Sequence, residues 1–144
     1  MAPFLHYPIK KSQIMNPNGI VIRSSQYTVK ETIDRLVVFL QQHGATVYAR
    51  INQQSELNNA GLKIGPLEFI LFGSPEAGGL MMIENPVAAL DLPLKIIAWE
   101  DKKNTVWLAY TDAVYMEERY SLPHTIMAAL DLEPLIAEAL FSAP

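Results

Sequence analysis

The spacing of apolar residues predicts one long amphipathic helix near the start of the chain. Apolar side chains recur there every three or four positions and form one stripe, made of Val29, Ile33, Leu36, Val37 and Leu40. Thr28 and Glu31 have the spacing of a capping box, in which the two residues satisfy backbone N–H groups of the first turn. Gly44 follows the stripe and supplies the left-handed residue that often ends a helix.

Five β-rich runs predict strands, at residues 19–24, 46–51, 67–72, 94–100 and 105–110. The second run alternates apolar and polar residues, as a half-buried strand does. The third is almost continuously apolar and is expected to be covered on both faces. The last two runs flank the polar turn DKKN, which predicts a β-hairpin with its two tryptophans as cross-strand neighbours.

Further helical segments are predicted at residues 55–60, 80–90, 112–120 and 124–141. Pro86 and Pro134 are expected to break the second and the fourth of these segments. Two closing strands joined by a hairpin indicate a mixed or antiparallel sheet of about five strands backed by helices. The predicted fold class is therefore α+β, with residues 18–144 forming a single domain.

Residues 1–17 contain three prolines and show no periodicity, so an extended N-terminal arm is predicted there. One expectation is that the arm is partly disordered. The other is that it packs across a partner subunit, because its apolar residues exceed what a free tail needs. The arm does not have the pattern of a secretory signal, because prolines interrupt its short apolar stretch and its lysines follow that stretch. No apolar segment approaches the about 18 residues of a membrane-spanning helix. We therefore expect a soluble, cytoplasmic protein.

The composition excludes several functional classes. The chain has 144 residues, half of them hydrophobic, and a formal net charge of −4, which suits one globular domain. Its 11 basic residues are scattered, and without a basic stripe nucleic-acid binding is not predicted. The absence of cysteine excludes thiolate nucleophiles, and His6, His43 and His124 lack the spacing of metal ligands. Neither a metal nor a cofactor is predicted.

The stretch FGSPEAGGLMMI at residues 72–83 raises the question of a phosphate-binding loop. A P-loop requires a lysine and a hydroxyl residue directly after its last glycine, whereas Leu80 and Met81 follow Gly79 here. The dinucleotide pattern G-x-G-x-x-G is absent, and Glu76 would repel a phosphate. We therefore interpret the stretch as a connection between a strand and a helix, with tight turns.

The run FGSPEAGGLMMIENPVAALDLPLKIIAWED, with TVKETIDRL and KIGPLEFILFG before it, resembles the domain of unknown function 302 family over residues 19–120. The positions that carry the resemblance are Thr32, Gly61, Pro66, Phe72, Gly73, Pro75, the DLPLK motif at 91–95 and the WED motif at 99–101. The resemblance implies an α+β fold like the TATA-binding-protein superfold, in the order β-α-β-β-β-β-α with short extra helices. It also implies frequent pairing as a homodimer. It implies no established activity, and sharing that superfold is no argument for DNA binding.

Three residue pairs depart from the pattern of that family. Asn52 and Gln53 stand where the family often carries Asp-His. The Gly-Thr and Leu-Met pairs of the family are replaced by Gly-Gly at 78–79 and Met-Met at 81–82. A catalytic or metal-binding role of that histidine would therefore have no counterpart in this chain.

Carboxylates in apolar surroundings are the main candidates for chemistry. Glu68 interrupts a strand that is otherwise apolar, and a buried carboxylate needs a partner or a shifted pKa. Arg50 and Lys95 lie on the neighbouring runs, and Asp91 precedes the second of them. Convergence of these four side chains at one sheet edge would form a polar pocket for a small anion or zwitterion. The alternative is that Glu68 faces solvent and that Asp91 caps the turn before Pro93.

Three hypotheses for function follow. The first is a dimeric module that binds a small ligand in a cleft near residues 73–95. Its predicted ligand-binding residues are Gly73, Ser74, Gly78 and Gly79 as backbone donors, Met82 as an apolar wall, and Arg50, Asp91 and Lys95 as polar contacts. The second is an enzyme with Glu68 or Asp91 as general base. The third is a protein-interaction or structural module without a ligand.

Overall fold

The computed structural model describes residues 18–128 and 131–141 as one α+β domain. Its five strands are β1 (Ile20–Ser25), β2 (Thr46–Asn52), β3 (Leu67–Gly73), β4 (Leu94–Glu100) and β5 (Val106–Thr111). They form a single sheet in the order β1-β5-β4-β3-β2, and every pair of neighbours is antiparallel. The predicted fold class is confirmed, with an antiparallel rather than a mixed sheet. The predicted arm at residues 1–17 lies outside the described residues.

The described helices are α1 (Val29–Gln42), α2 (Gln53–Asn59), α3 (Pro75–Glu84), α4 (Ala113–Tyr120), α5 (His124–Ala128) and α6 (Glu133–Phe141). A 3-10 segment (Pro86–Asp91) follows α3. The capping box of α1 is present: the Glu31 amide donates to the Thr28 hydroxyl at 3.1 Å, and the Thr28 amide donates to the Glu31 carboxylate at 3.2 Å. Gly44 has a φ of +83°, as the predicted helix stop requires.

The hydrophobic core lies between α1, α6 and one face of the sheet, which we call the inner face. Ile70, Ile96 and Leu108 point to this face and are fully buried against α1 residues such as Ile33 and Leu36. Burial alternates along β3, so Leu67, Phe69 and Leu71 on the opposite face are only half-buried. The prediction that this strand is covered on both faces is therefore wrong.

The start of α3 differs from the sequence prediction. The glycine stretch is not a connection, because helix α3 begins at Pro75 and includes both Gly78 and Gly79. The interruption at Pro86 is confirmed, since α3 ends at Glu84 and the 3-10 segment begins with that proline. The break expected near Pro134 is also confirmed, because α5 ends at Ala128 and α6 begins at Glu133, with Pro134 in the first turn, where a residue needs no N–H donor. In the described part of the chain, no helix has the length and apolarity to cross a membrane.

Candidate functional site

A cavity of about 260 Å³ opens beside the first turns of α3, and we call it the glycine cavity. Gly73, Ser74, Gly78, Gly79 and Met82 line it, so five of the eight predicted ligand-binding residues share one site. Its remaining walls are mainly apolar and come from the segment that leads into β4 and from the exposed ring of a tyrosine on β2. The arrangement suits a small apolar molecule with few hydrogen-bonding groups.

Helix α3 forms the glycine-rich wall of this cavity. Ser74 is the N-cap: its hydroxyl accepts from the Ala77 amide at 3.4 Å, and Pro75 occupies the first helical position. The Gly78 amide donates to the Ser74 carbonyl at 2.8 Å within the helix. That amide is therefore already bonded within the helix and cannot act as the predicted donor to a ligand. Gly78 instead leaves space at the cavity wall.

Empty space lies beside both helical glycines. A Cβ atom added at Gly78 or at Gly79 would meet no heavy atom within 4 Å outside the helix itself, and neither residue has a positive φ. Glycine inside a helix costs about 1 kcal/mol relative to alanine, so α3 carries two residues that weaken it without a backbone requirement. What the two glycines provide is room at the cavity wall.

A second, more polar cavity of about 450 Å³ adjoins the glycine cavity and shares the segment before β4 with it. Asp91 and Lys95 both line it. The Asp91 carboxylate accepts hydrogen bonds from the Tyr120 hydroxyl at 2.5 Å and from Arg119 at 3.2 Å. Burial, and then the adjacent Asp91 carboxylate, raise the pKa of the Tyr120 phenol. Lys95 lies 4.7 Å above the ring of Phe69.

Arg50 and Glu68 form a separate cluster under α1. Arg50 Nε donates to Glu68 at 2.9 Å, and Arg50 Nη1 donates to Asp34 at 2.6 Å. Glu68 is 8% exposed, so the alternative that it faces solvent is wrong. Hydrogen bonds from Lys30 and then from Arg50 lower the pKa of Asp34. Burial lowers the pKa of Arg50, but its bonds to Asp34 and Glu68 outweigh burial and raise it overall.

The predicted convergence of four charged side chains is therefore wrong. Glu68 pairs in register with Ala98 and points to the inner face, whereas Lys95 pairs with Leu71 and points to the opposite face. Arg50 joins Glu68, and Asp91 joins the cavity of Lys95. Two pairs result, on different sides of the sheet.

One wall of the glycine cavity was not predicted from the sequence. Tyr48 stands at an irregularity in the pairing of β2 with β3, and its ring lies 3.6 Å from the position of a Cβ atom at Gly73. The sequence shows Tyr48 only as the polar-side member of an alternating strand. No local pattern places an extra residue in that strand, because the irregularity depends on the partner strand.

The positions that depart from the family pattern have local roles. The Asn52 side chain is the N-cap of α2 and accepts from the Ser55 amide at 3.0 Å. Gln53 is the first residue of that helix. Within residues 18–128 and 131–141, histidine, aspartate and glutamate side chains form no group of three that could hold a metal ion.

The relatives of this chain include three curated proteins, all named as fluoride channels. The chain is 36% identical over 122 residues to "Fluoride-specific ion channel FluC 1" of Brucella suis, covering 84% of this chain and 47% of that protein. It is equally similar to FluC 1 of Brucella abortus and FluC 2 of Brucella melitensis, with 44% of each covered. The chain thus spans less than half the length of the curated relatives it matches.

A solved structure confirms the fold. The crystal structure of an uncharacterized conserved protein from Bacillus stearothermophilus superimposes with a TM-score of 0.70 at 20% identity, over 85% of this chain and 95% of that chain. The family model described as "Domain of unknown function DUF302" matches residues 21–140, and the solved structure carries the same family name. The chain therefore belongs to the DUF302 family, whose function is unknown.

Proposed function

We propose that this protein is a homodimeric module that binds a small, mainly apolar molecule in the glycine cavity. The observation that carries the proposal is the pair of helical glycines, Gly78 and Gly79, beside empty space in the cavity wall. An alanine at either position would strengthen α3 and would meet no protein atom. A ligand that approaches the helix backbone gives a reason for glycine there, because it would occupy the room that a side chain takes.

The volume of the cavity limits the size of the ligand. An engineered protein cavity of about 150 Å³ holds one benzene molecule, which has six heavy atoms. The glycine cavity, at about 260 Å³, therefore suits a molecule of about ten heavy atoms. The hydroxyls of Ser74 and Tyr48 are the polar side-chain groups of its wall, so one or two hydrogen-bonding groups on the ligand would find partners.

An enzyme is the second candidate function, and Asp91 is its better-placed general base. Asp91 lines the polar cavity, where a substrate has room, although Tyr120 and Arg119 already donate to its carboxylate. Glu68 is held by Arg50 and lines neither the glycine cavity nor the polar cavity. A base needs a substrate atom within hydrogen-bonding reach, so Glu68 is the weaker candidate.

The names of the curated relatives add one ligand to test. Those proteins are named as fluoride-specific channels, and this chain aligns with less than half of each. Fluoride therefore belongs in any ligand panel, while the small apolar ligand follows from the cavity itself. The cytoplasmic location remains a prediction from the sequence.

Thermal unfolding of the purified protein tests the ligand proposal. The panel contains small aromatic and branched aliphatic molecules of up to about twelve heavy atoms, together with sodium fluoride. A ligand at 100 times its Kd stabilises the folded state by about 2.7 kcal/mol. With an unfolding entropy of about 2.1 cal/mol/K for each of 144 residues, that corresponds to a rise in Tm of about 9 °C.

A variant that fills the cavity identifies the site of any ligand found. Gly79→Leu places a side chain in the space beside the helix, so the shift in Tm caused by the ligand should disappear. Glu84→Leu is the matched control, because it adds leucine to an exposed position of the same helix outside the cavity. A ligand shift that survives in Gly79→Leu would place the ligand elsewhere, and no shift across the panel would contradict the proposal.

A further inference from the structure

The face of the sheet opposite the core is apolar, and no described helix covers it. We call it the outer face and define it by the residues that alternate along each strand with those of the inner face. Its apolar members are Ile20, Ile22, Ala49, Ile51, Leu67, Phe69, Leu71, Ile97, Trp99, Trp107 and Ala109. Ser24, Thr111 and Lys95 are its polar members. Ile20 and Ile22 on the edge strand are each 41% exposed, and the large apolar residues of this face on β3, β4 and β5 are half-buried, whereas Ile70 and Ile96 on the inner face are fully buried.

The outer face is about as large as the largest apolar patch on a typical monomer. Five strands about 4.8 Å apart and about 20 Å long cover about 480 Å² of flat area. The largest apolar patch on a typical monomer measures about 300–600 Å², and patches of this size are often functional. An apolar sheet face of this extent normally packs against a second layer.

The geometry points to a second copy of this chain as that layer, packed sheet against sheet. This inference rests on the homodimer of the proposed function and assigns the surface that forms it. Two outer faces in contact would bury about 1,000 Å² in total, which reaches the lower limit for a specific interface. Two sheets packed face to face lie about 10 Å apart with interdigitating side chains, as in a β-sandwich.

The charge of the outer face favours a copy of itself over a charged partner. Lys95 is its sole charged residue among those defined above, and its ammonium lies over the ring of Phe69. A nucleic acid would need several lysines or arginines to neutralise phosphates, and the face does not offer them. An apolar surface with so little charge is instead complementary to itself, as the isologous interface of a two-fold dimer requires.

Two tryptophans give this surface the composition of an interface. Trp99 and Trp107 are direct cross-strand neighbours, as predicted from the hairpin, and are the two tryptophans of the whole chain. The Trp107 indole N–H donates to Asp101 at 2.8 Å, so burial of the ring in a dimer would leave no unsatisfied donor. Tryptophan is enriched among the residues that dominate the energy of protein interfaces.

Sedimentation velocity of the full chain tests this assignment without any ligand. We expect a particle of twice 16.1 kDa for the unaltered protein at about 50 μM. Ile97→Lys places a charge in the middle strand of the outer face, and Ile22→Lys places one at the edge strand, where the side chain is already exposed. Both variants should sediment at half the mass. Ile83→Lys is the matched control on α3, where the isoleucine is 79% exposed, and it should remain dimeric.

Tryptophan fluorescence provides a second readout, because acrylamide should quench the two indoles more strongly in Ile22→Lys than in the unaltered dimer. A monomer at every concentration up to about 100 μM would overturn the assignment. So would a dimer that survives Ile22→Lys, whose exposed position keeps folding intact. Indoles shielded from acrylamide in a monomer would mean that residues 1–17 cover the face, which also overturns it. The substituted residues lie outside the glycine cavity, so the ligand proposal stands or falls separately.

Discussion

Replacement of Gly79 by alanine should stabilise the protein, although it alters the wall of the candidate site. Gly79 lies inside α3, its φ is not positive, and a Cβ atom there would meet nothing within 4 Å beyond the helix itself. The substitution therefore removes the entropic cost of glycine in a helix and introduces no clash.

The expected gain is about 1 kcal/mol in the free energy of unfolding. For 144 residues with an unfolding entropy of about 2.1 cal/mol/K each, this corresponds to a rise in Tm of about 3 °C. Gly44→Ala is the matched control, because a Cβ atom at Gly44 also meets nothing within 4 Å, but its φ is +83°. Alanine in that left-handed conformation costs about 1–2 kcal/mol, so the Tm of Gly44→Ala should fall.

Urea unfolding followed by circular dichroism measures both variants against the unaltered protein. The midpoint should rise for Gly79→Ala and fall for Gly44→Ala, with the dependence on urea unchanged in both. A neutral or destabilising effect of Gly79→Ala would show that the room beside α3 is not free, and the main support for the ligand proposal would be lost. Equal changes of the urea midpoint in both variants would show that the sign of φ does not determine how alanine affects stability.

Three further predictions concern charged groups. Arg50→Ala should lower the free energy of unfolding by about 2–4 kcal/mol, because it leaves the buried Glu68 carboxylate without its partner. The double variant Arg50→Ala/Glu68→Gln should lose less stability, as measured by the urea midpoint. The Trp107 indole, ahead of backbone donors, lowers the pKa of Asp101. Tryptophan emission should therefore change on acidification with a midpoint below the ordinary value of about 3.9, and Asp101→Ala should abolish that change. The lowered pKa of Asp34 adds stability that is present above about pH 3.9 and is lost as pH falls through the folded-state pKa. Asp34→Asn should therefore narrow the difference between the free energies of unfolding at pH 5 and pH 3, measured with urea, by at most about 1 kcal/mol because both side chains of the pair are partly exposed.

Local patterns in the sequence determined most of the elements. The capping box at Thr28 and the left-handed Gly44 predict the first helix because both depend on residues within one turn. The DKKN turn likewise predicts the hairpin of β4 and β5, and with it the pairing of Trp99 with Trp107. The sheet order could not follow from these patterns, since it places β1 beside β5.

Helix α3 shows where a local pattern was ambiguous. Two adjacent glycines argue against a helix by propensity, whereas Ser74 and Pro75 have the residue types of an N-cap and a first helical position. The capping residues indicate the correct structure, because the packing of buried Met81 in the core also stabilises the helix. Tertiary contacts of this kind override a propensity of about 1 kcal/mol per glycine.

The candidate site and the outer face were decided by the tertiary structure. Within a strand, alternation shows which residues share a face, so Glu68 must oppose Leu67 and Phe69. The packing of α1 and α6 determines which face of the sheet is covered by helices. The apolar run of β3 does not indicate that face. The sequence by itself therefore determined the strands, most of the helices and five residues of the glycine cavity. Only packing between residues distant in the chain placed Glu68 and Lys95 on opposite faces and left one apolar face of the sheet uncovered. Such contacts depend on how all the strands and helices assemble, which no local pattern shows.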